Sequence, residues 1–301
     1  MKKIWMTGLL CLFGVVSLMA KPQSIMGSEQ YRTQQAYPVA PFTTLSINGQ
    51  TEVEFVQAPQ ETYTVSFAGP YNLAELIEIK SQDGVLHIYY KKPIVVLGDQ
   101  RLRVQVAAPD LTRIEIKESG ELHIHQPLMT QSLEIEAAGK AEIEIDELQA
   151  QTVQADLRGD GEVEILKLMC QILQVKAADT ASFDAQGADC DTVHIWASNR
   201  AEVAVTGLNG QNVTAENWHS SEIELKGRVS TASLTARGRS EIDAEGLQAE
   251  NADVLAERAA HIGVRVSGTL NAQTQGRGVV EYRGWPQQIN RTGKGTVKQD
   301  K

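Results

Sequence analysis

Apolar and polar residues alternate along the chain in a pattern that repeats every twenty residues. Successive segments carry this pattern, each beginning with an apolar residue: Leu133, Val153, Leu173, Val193 and Val213. Within each segment the alternation runs through two stretches separated by a short turn. Alternation with a period of two predicts a β-strand with one buried face. Each segment therefore predicts two strands that meet at a tight corner.

The third position of the corner is always small, as expected where two strands bend and leave no room for a large side chain. It is occupied in turn by Ala141, Gly161, Ala181, Ala201 and Ser221. A further apolar position follows the second strand, at Leu148, Leu168, Ala188 and Leu208. Each coil is therefore expected to send two strands and one additional side chain into the core.

A single segment cannot fold alone, since about five buried side chains at about 1.5–3 kcal/mol each do not offset the entropy of ordering the segment. Stacked segments can fold, because each covers its neighbour and pairs its backbone groups at about 4.8 Å. A fixed period of this length is typical of solenoids, and parallel crossovers are overwhelmingly right-handed. We therefore predict an all-β fold: a right-handed single-stranded parallel β-helix (β-solenoid) with about twenty residues per coil.

The regular repeat is predicted for residues 111–284, although its period slips beyond Leu225. Residues 39–110 also contain runs of β-forming residues at less regular spacing. We expect these runs to form wider, irregular coils that cap the N-terminal end of the same solenoid; a separate β-sandwich is the alternative. Residues 21–38 are polar and lack periodicity, which predicts a flexible lead-in.

The C-terminal residues 285–301 are predicted to form a cap and a disordered tail. Trp285 is expected to cover the open end of the core, since an uncapped solenoid would aggregate through its edge. Contact with a ligand is the alternative role for this side chain.

The first twenty residues have the features of a secretory signal peptide. Lys2 and Lys3 supply the positive end, residues 4–19 form the apolar core, and residues 18–20 form a plausible cleavage site. An uncleaved membrane anchor and lipidation at Cys11 are the alternatives. No second apolar run of spanning length follows. We therefore expect no stable transmembrane span after signal removal, and an exported protein that is periplasmic, outer-membrane associated or extracellular.

Charge and motifs restrict the function. The formal net charge of −10 opposes binding to nucleic acid. The sequence contains no GxSxG, HExxH or CxxC motif and no phosphate-binding loop, so we predict no cofactor and no enzyme activity. A polysaccharide lyase would need a carboxylate cluster beside a basic residue. The nearest candidates, Asp156, Lys176 and Asp179, are expected at different coil positions.

Several motifs, in this order, resemble the head GIN domain family, which comprises secreted bacterial proteins described as autotransporter adhesins. The resemblance covers residues 41–284 and is carried by residues 41–49 (PFTTLSING), 52–57 (EVEFVQ), 83–88 (DGVLHI), 108–111 (APDL) and 114–122 (IEIKESGEL). It implies a right-handed β-superhelix with two main sheets, related in shape to pectin lyases, and no recognised catalytic residues. The family's tight Gly-Ser-Gly-like turn survives here at Ser119-Gly120, whereas later turns read Arg158-Gly-Asp-Gly161 or Arg237-Gly-Arg-Ser240.

Cys170 and Cys190 lie twenty residues apart and should occupy the same place in adjacent coils. Stacked strands bring equivalent Cα atoms to about 4.8 Å, inside the range of a disulfide, and an exported protein meets an oxidising compartment. A plain stack of small residues is the alternative, because Ala150 and Gly210 fill the same position in neighbouring coils.

The outward face of the second strand is acidic along many coils: Glu142, Glu144, Glu162, Glu164, Asp184, Glu202, Glu222, Glu224, Glu241 and Asp243. Like charges stacked at this spacing repel one another. Clustered carboxylates suit calcium, while a solvated face without bound cations is the plainer interpretation.

Aromatic residues on the outward face offer a candidate binding patch. His194 and Trp196 should point outward, opposite Val193 and Ile195, and Trp218 and His219 lie near the turn of the next coil. Exposed aromatic side chains can stack on sugars or anchor a protein partner. A subunit contact or a chance surface cluster is the alternative.

Two functions from different classes follow. The first is a secreted, non-catalytic protein of the bacterial envelope or surface that presents an extended rigid face for adhesion or scaffolding. It would bind a protein or glycan ligand and could self-associate as a homo-oligomer. The second is a carbohydrate-binding or carbohydrate-active β-helix protein of the polysaccharide lyase kind, with acid and base groups converging in a groove. The sequence lacks the carboxylate cluster that a polysaccharide lyase would need, and this favours the first function.

Overall fold

The computed structural model describes residues 21–300. They are nearly all β, with 71% strand and 1% helix, and form a β-solenoid of about nine turns with roughly 20 residues per coil. The predicted all-β solenoid and its coil length are therefore confirmed. The N-terminal part contains the short helix α1 (Tyr71–Ala74) and the strands β1 (Gln23–Met26), β2 (Tyr31–Pro38), β3 (Thr44–Asn48), β4 (Thr51–Gln57), β5 (Thr64–Pro70), β6 (Ile77–Gln82), β7 (Val85–Tyr90), β8 (Ile94–Leu97) and β9 (Leu102–Ala108).

The remaining strands follow one another around the coils, and several run through a corner without interruption. They are β10 (Arg113–Lys117), β11 (Glu121–Ile124), β12 (Leu128–Met129), β13 (Ser132–Gly139), β14 (Glu142–Gln149), β15 (Thr152–Gly159), β16 (Glu162–Ala177), β17 (Ser182–Ala185), β18 (Ala188–Ala197), β19 (Glu202–Asn209), β20 (Asn212–His219), β21 (Glu222–Gly238), β22 (Glu241–Arg258), β23 (His261–Val266), β24 (Thr269–Gly276), β25 (Val279–Arg283), β26 (Gln288–Gly293) and β27 (Thr296–Gln299).

The regular coils stack in register along one axis. Val153 pairs in parallel with Leu133 on one side and with Leu173 on the other, and Val193 and Val213 continue the column. All five side chains are at most 1% exposed. We call the sheet formed by these first strands of each coil the first sheet, and the sheet formed by the second strands the second sheet. The short stretch that follows, in register with Leu148, Leu168 and Ala188, is the third side.

The corner between the first and second sheets combines two backbone requirements. Its first residue has a positive φ in each coil, for example 75° at Gly139, 66° at Asp179 and 68° at Asn199. Its third residue is buried and small, as predicted. At Gly161 an added Cβ would lie 2.8 Å from the carbonyl oxygen of Ala137. The coil below therefore limits the size of the corner residue above it.

One inward position departs from the apolar pattern. Asn217 stands in register with Ala197 and Ala236 and is 0% exposed. Its Nδ2 donates hydrogen bonds to the carbonyl oxygens of Ser221, at 2.9 Å, and Glu241, at 2.6 Å. The amide thus satisfies backbone groups at the corner of two coils, which is the condition for burying a polar side chain.

The N-terminal coils do not stack in chain order. Strand β3 lies between β10 and β7, and β4 lies between β11 and β9. Residues 85–108 therefore form the outer coil, although they follow residues 44–57 in the sequence. Beyond this outer coil the pairing becomes antiparallel, with β6 on β7, β5 on β9 and β2 on β5. These antiparallel strands cover the N-terminal end of the stack.

The flexible lead-in expected for residues 21–38 is wrong in the structure. Strand β1 pairs in parallel with β8, and β2 pairs antiparallel with β5 as part of the N-terminal cover. Only Ile25, Tyr37 and the adjacent Val39 in this region pack partly buried against the core. Because edge strands bury so few side chains, their alternation is too weak to recognise in the sequence.

The expected C-terminal cap and disordered tail are also wrong. Strand β26 pairs with β24 and β27 with β25, so the solenoid continues through residues 288–299. Ile289 and Val297 extend the core columns, but each strand has only one such residue and gives no clear periodicity. Trp285 is 86% exposed and covers no end of the core.

The predicted signal peptide lies outside the described residues. Between residues 21 and 300, no helix has the length and apolar character needed to cross a membrane.

Candidate functional site

The aromatic side chains of β18 project from the first sheet. Val193, Ile195 and Ala197 are buried, so alternation turns His194 and Trp196 outward, where both are half-buried. Their rings stack with centroids 5.9 Å apart and planes inclined by 21°. Lys176 pairs with Trp196 in the adjacent coil, and its Nζ lies 5.8 Å from the ring centroid. This is a cation–π distance.

The next coil adds a second aromatic group at the corner. Trp218 is 36% exposed, and the guanidinium carbon of Arg237 lies 4.4 Å from its ring centroid. Arg237 is held in turn by Glu257, whose Oε2 accepts a hydrogen bond from Nε at 2.6 Å. His219 occupies the exposed corner position with φ 69°. The corner therefore fixes the indole against a cation while leaving its edge open to solvent.

These two groups share one face of the first sheet. Trp196 pairs with Glu216, and Trp218 lies two residues beyond Glu216 with the same outward direction. From the strand spacing and rise, the Cα atoms of Trp196 and Trp218 are about 8 Å apart along a diagonal. We call the set His194, Trp196, Trp218 and His219 the aromatic patch. Sequence periodicity alone did not reveal the cations, Lys176 and Arg237, that support it.

The structure joins Cys170 and Cys190 in a disulfide between adjacent coils, with Cα atoms 4.7 Å apart. The two residues pair in register on the third side, and Cys190 is 1% exposed. A covalent link at this place fixes the register of one coil on the next.

The second sheet carries the acidic row. Glu142, Glu162, Glu202, Glu222 and Glu241 belong to one in-register column, interrupted only by Ser182.

Burial first, and then the charges of Glu241, Glu202, Glu224 and Asp243, raise the pKa of Glu222 above its usual value. Burial and Glu224 likewise raise the pKa of Asp184. Across residues 21–300, no group of three or more His, Cys, Asp or Glu side chains is placed to hold a metal ion. Neighbouring carboxylates of the row therefore repel Glu222 and Asp184.

The groups that might have formed a lyase site are engaged elsewhere. Asp156 and Lys176 share one register position in adjacent coils, contrary to the expectation of different positions. However, Asp156 accepts hydrogen bonds from Arg158 at 3.0 and 3.2 Å, and Lys176 faces Trp196. Asp179 is a corner residue that accepts a hydrogen bond from Asn199 at 3.1 Å.

Sequence reasoning missed a groove on the third side of the C-terminal coils. It is lined by residues 209–211, 228–230, 248–251, 265–269, 284, 285 and 287, and encloses about 1030 Å³. We call it the third-side groove. The slip in period beyond Leu225 was the signal that could have indicated it, since coils of different length cannot present a flat side.

A family model described as "Putative auto-transporter adhesin, head GIN domain" matches the chain twice, over residues 41–207 and 169–286. No curated protein matches the chain in sequence.

Among solved structures, a protein from Parabacteroides distasonis ATCC 8503 named "Putative lipid binding protein" is 19% identical, with 93% of this chain and 100% of that chain covered at a TM-score of 0.49. A "putative adhesin" from Bacteroides fragilis NCTC 9343 is 20% identical over 92% of this chain and 100% of its own, with a TM-score of 0.39. A "putative adhesin" from Parabacteroides merdae ATCC 43184 is 18% identical over 93% and 100%, with a TM-score of 0.48. Identities and scores this low carry no argument about what this chain binds.

Proposed function

Because the chain belongs to the family described as "Putative auto-transporter adhesin, head GIN domain", we propose that it is an exported, non-catalytic binding protein of the bacterial envelope or surface. In this role the solenoid is a rigid rod that presents side chains to a protein or glycan partner. About nine turns at about 4.8 Å per coil give a rod about 43 Å long. Parallel backbone hydrogen bonds between the coils hold the surface groups at fixed spacing. These groups therefore do not have to be ordered when a partner binds.

The observation that carries the proposal is the aromatic patch. Interfaces gain most of their energy from a few aromatic or arginine anchors that are already held in place. Trp196 is fixed between His194 and Lys176, and Trp218 is fixed beneath Arg237. Both indoles are thus ordered before a partner arrives, and both lie on one face.

Export is supported by two independent features. The first twenty residues have the three regions of a signal peptide, and the disulfide between Cys170 and Cys190 suits an oxidising compartment. The periplasm, the outer membrane and the extracellular space are all consistent with these features.

The absence of catalysis is supported by how the polar groups are used. Asp156 is paired with Arg158, and Lys176 is committed to Trp196. An acid and a base must converge on a reacting atom to transfer protons, and these groups are directed at their own neighbours instead.

An array of glycans and extracellular proteins, followed by product analysis of each bound glycan, tests the proposal. We expect the purified protein to bind at least one partner and to leave it chemically unchanged. A Trp196→Ala/Trp218→Ala double variant should lose binding by about tenfold or more, as for interface anchors. Tyr31→Ala removes an aromatic residue that is 62% exposed at the N-terminal end of the rod, away from the aromatic patch, and serves as the matched control.

Shortening of a bound glycan would contradict the non-catalytic assignment. Equal binding by the double variant and the wild-type protein would show that the aromatic patch is not the binding surface.

A further inference from the structure

The third-side groove arises from a change in coil length. Ala244 pairs with Val264, but Gln248 pairs with Arg265. Three residues therefore separate the second sheet from the third side in one coil, at positions 245–247, and none separate them in the next. A smaller shift of the same kind occurs between Val205 and Leu208. The shorter coils draw the third side inward, and a concave surface results where a regular solenoid would be flat.

A single aromatic residue stands in this groove. Trp285 lines it and is 86% exposed. The preceding Gly284 has φ +88°, and an added Cβ there would lie 2.5 Å from the carbonyl oxygen of Val266. A turn that only glycine can make therefore directs the indole away from the core, at the edge of the groove. Tryptophan is enriched at interfaces, where a partner covers its apolar ring.

The floor of the groove is a column of planar, hydrogen-bonding side chains. Asn209, Arg228, Gln248 and Arg265 occupy successive coils in register. The Cα atoms of Arg228 and Arg265 are thus about 10 Å apart, with one glutamine between them. Gln211 and Gln287 add two more amides to the lining.

The two arginines are uncommitted cations in an acidic protein. Within residues 21–300 neither makes an ion pair, and Arg265 only donates from Nε to the carbonyl oxygen of Glu245, at 3.0 Å. Glu250 is the one carboxylate among the lining residues. The groove therefore carries a local positive charge on a chain of net charge −10, and this local charge favours an anionic ligand.

We propose that the third-side groove binds an acidic oligosaccharide, with its chain lying along the solenoid axis. The face of a pyranose ring rich in C–H groups stacks on an indole, here that of Trp285. A guanidinium group binds a carboxylate through two parallel hydrogen bonds, so Arg228 and Arg265 receive acidic substituents at two places along the chain. The amides between them exchange hydrogen bonds with sugar hydroxyls. The site lies on a different side of the solenoid from the aromatic patch and does not depend on it.

Calorimetric titration of the exported protein with hexasaccharides of galacturonate, mannuronate and chondroitin sulfate tests the proposal, with maltohexaose as the neutral probe. We expect at least one acidic hexasaccharide to bind about tenfold or more tightly than the neutral one, and the affinity to fall as salt is added. Trp285→Ala and Arg228→Gln/Arg265→Gln should each weaken binding by about tenfold, which corresponds to about 1.4 kcal/mol.

Two variants outside both the groove and the aromatic patch provide matched controls: Tyr31→Ala, at a 62% exposed aromatic residue, and Arg200→Gln/Arg239→Gln, at two exposed corner arginines, should bind as the wild-type protein does. Loss of binding in these controls would place the ligand outside the groove and overturn the proposal. The same holds if none of the three acidic probes binds, if maltohexaose binds equally well, or if Trp285→Ala has no effect. A wild-type dimer that Trp285→Ala converts to a monomer would show that the groove is a contact between two copies, and would also overturn it.

Discussion

The coils of residues 133–225 and those of residues 44–124 use the same alternation but stack by different rules. In the first region each coil lies on the one before it in the chain, with the same kind of residue above and below. In the second region a later coil, residues 85–108, lies outside an earlier one, and antiparallel strands close the end. The repeat builds the rod, while its irregular start covers the N-terminal end of the core with antiparallel strands.

The outward charges differ between the two regions as well. In the N-terminal coils Glu52 stands beside both Arg103, at 3.0 Å, and Glu121. In the regular coils Lys167 meets Glu147, but along the second sheet glutamate stacks on glutamate at two outward positions, Glu142 on Glu162 and Glu144 on Glu164. When a coil is repeated, its outward charges recur at the same position in the next coil. Like charges therefore face each other along the second sheet and repel.

The largest expected effect concerns the layer occupied by Leu45. This side chain is 0% exposed and lies between Leu86 and Ile114, as Leu173 lies between Val153 and Val193. Leu45→Ala and Leu173→Ala should each lower the free energy of unfolding by about 2–5 kcal/mol, measured by urea denaturation. A loss for Leu45→Ala below about 1 kcal/mol would indicate that residues 44–57 form the end layer instead.

The disulfide links coils of the regular region only. In the chain-entropy account, closing a loop of this size stabilises the folded state by about 3 kcal/mol. We expect the Cys170→Ala/Cys190→Ala variant to lose about this much relative to the oxidised protein. In the folded, unreduced wild-type protein neither cysteine should react with a thiol reagent; stoichiometric labelling would contradict the pairing.

The buried amide of Asn217 should matter more than the exposed amide of Asn212, at the start of the same strand. Asn217→Ala leaves the carbonyl oxygens of Ser221 and Glu241 without their hydrogen bonds and should lower the free energy of unfolding by about 2 kcal/mol. Asn212→Ala, at this exposed strand position, is the control and should change it by about 0.5 kcal/mol or less. Equal effects would argue against burial of the Asn217 amide.

The smallest expected effect is a gain in stability. Glu222→Gln removes one charge from the acidic column and should raise the free energy of unfolding at neutral pH by about 0.5 kcal/mol. The pKa of Glu222 is raised in the folded state, so its unfavourable contribution is present above the folded pKa and is relieved as the pH falls toward the usual value of 4.5.

Glu281 behaves in the opposite way. The hydrogen bond from Lys298 lowers its pKa, so its stabilising contribution is present above the usual value of 4.5 and is lost as the pH falls through the folded pKa. Thermal melts from neutral pH to below the usual carboxyl pKa of 4.5 compare the two variants. Glu222→Gln should lack the gain in melting temperature that protonation of Glu222 gives the wild-type protein on acidification. Glu281→Gln should lack the loss in melting temperature that protonation of Glu281 causes. A reversed order would contradict the assigned causes of the two pKa shifts.

The sequence was sufficient to predict the coils because every coil meets the same two requirements, a buried strand face and a tight corner. Alternation selects the buried face, and the space at the corner selects a small residue such as Ala181 or Ala201. The stacking order at the N-terminus is different. Leu45 and Ile47 in β3 carry the same pattern as Leu86 and Ile88 in β7, so either strand could have been placed against β10.

The candidate sites were less predictable than the fold. Alternation placed His194 and Trp196 outward, but it did not identify Arg237 as the partner of Trp218, because that contact joins two coils of different length. The third-side groove forms because one coil is shorter than the coil before it. In the sequence this shortening is visible only as a break in the constant period, which does not by itself indicate a groove. Without this information the sequence predicts that Trp285 caps the open end of the core, with contact to a ligand as the alternative.

The most direct test of the stacked register is a pair of engineered cysteines on the outward face of the first sheet. Gln154 and Gln174 are in-register neighbours, so their Cα atoms should be about 4.8 Å apart. Gln154→Cys/Gln174→Cys should form a disulfide that mass spectrometry detects in the folded protein. Gln154→Cys/Lys176→Cys, displaced by two residues to about 8 Å, should not. Preferential linking of the displaced pair would contradict the register on which the rod, the aromatic patch and the third-side groove all depend.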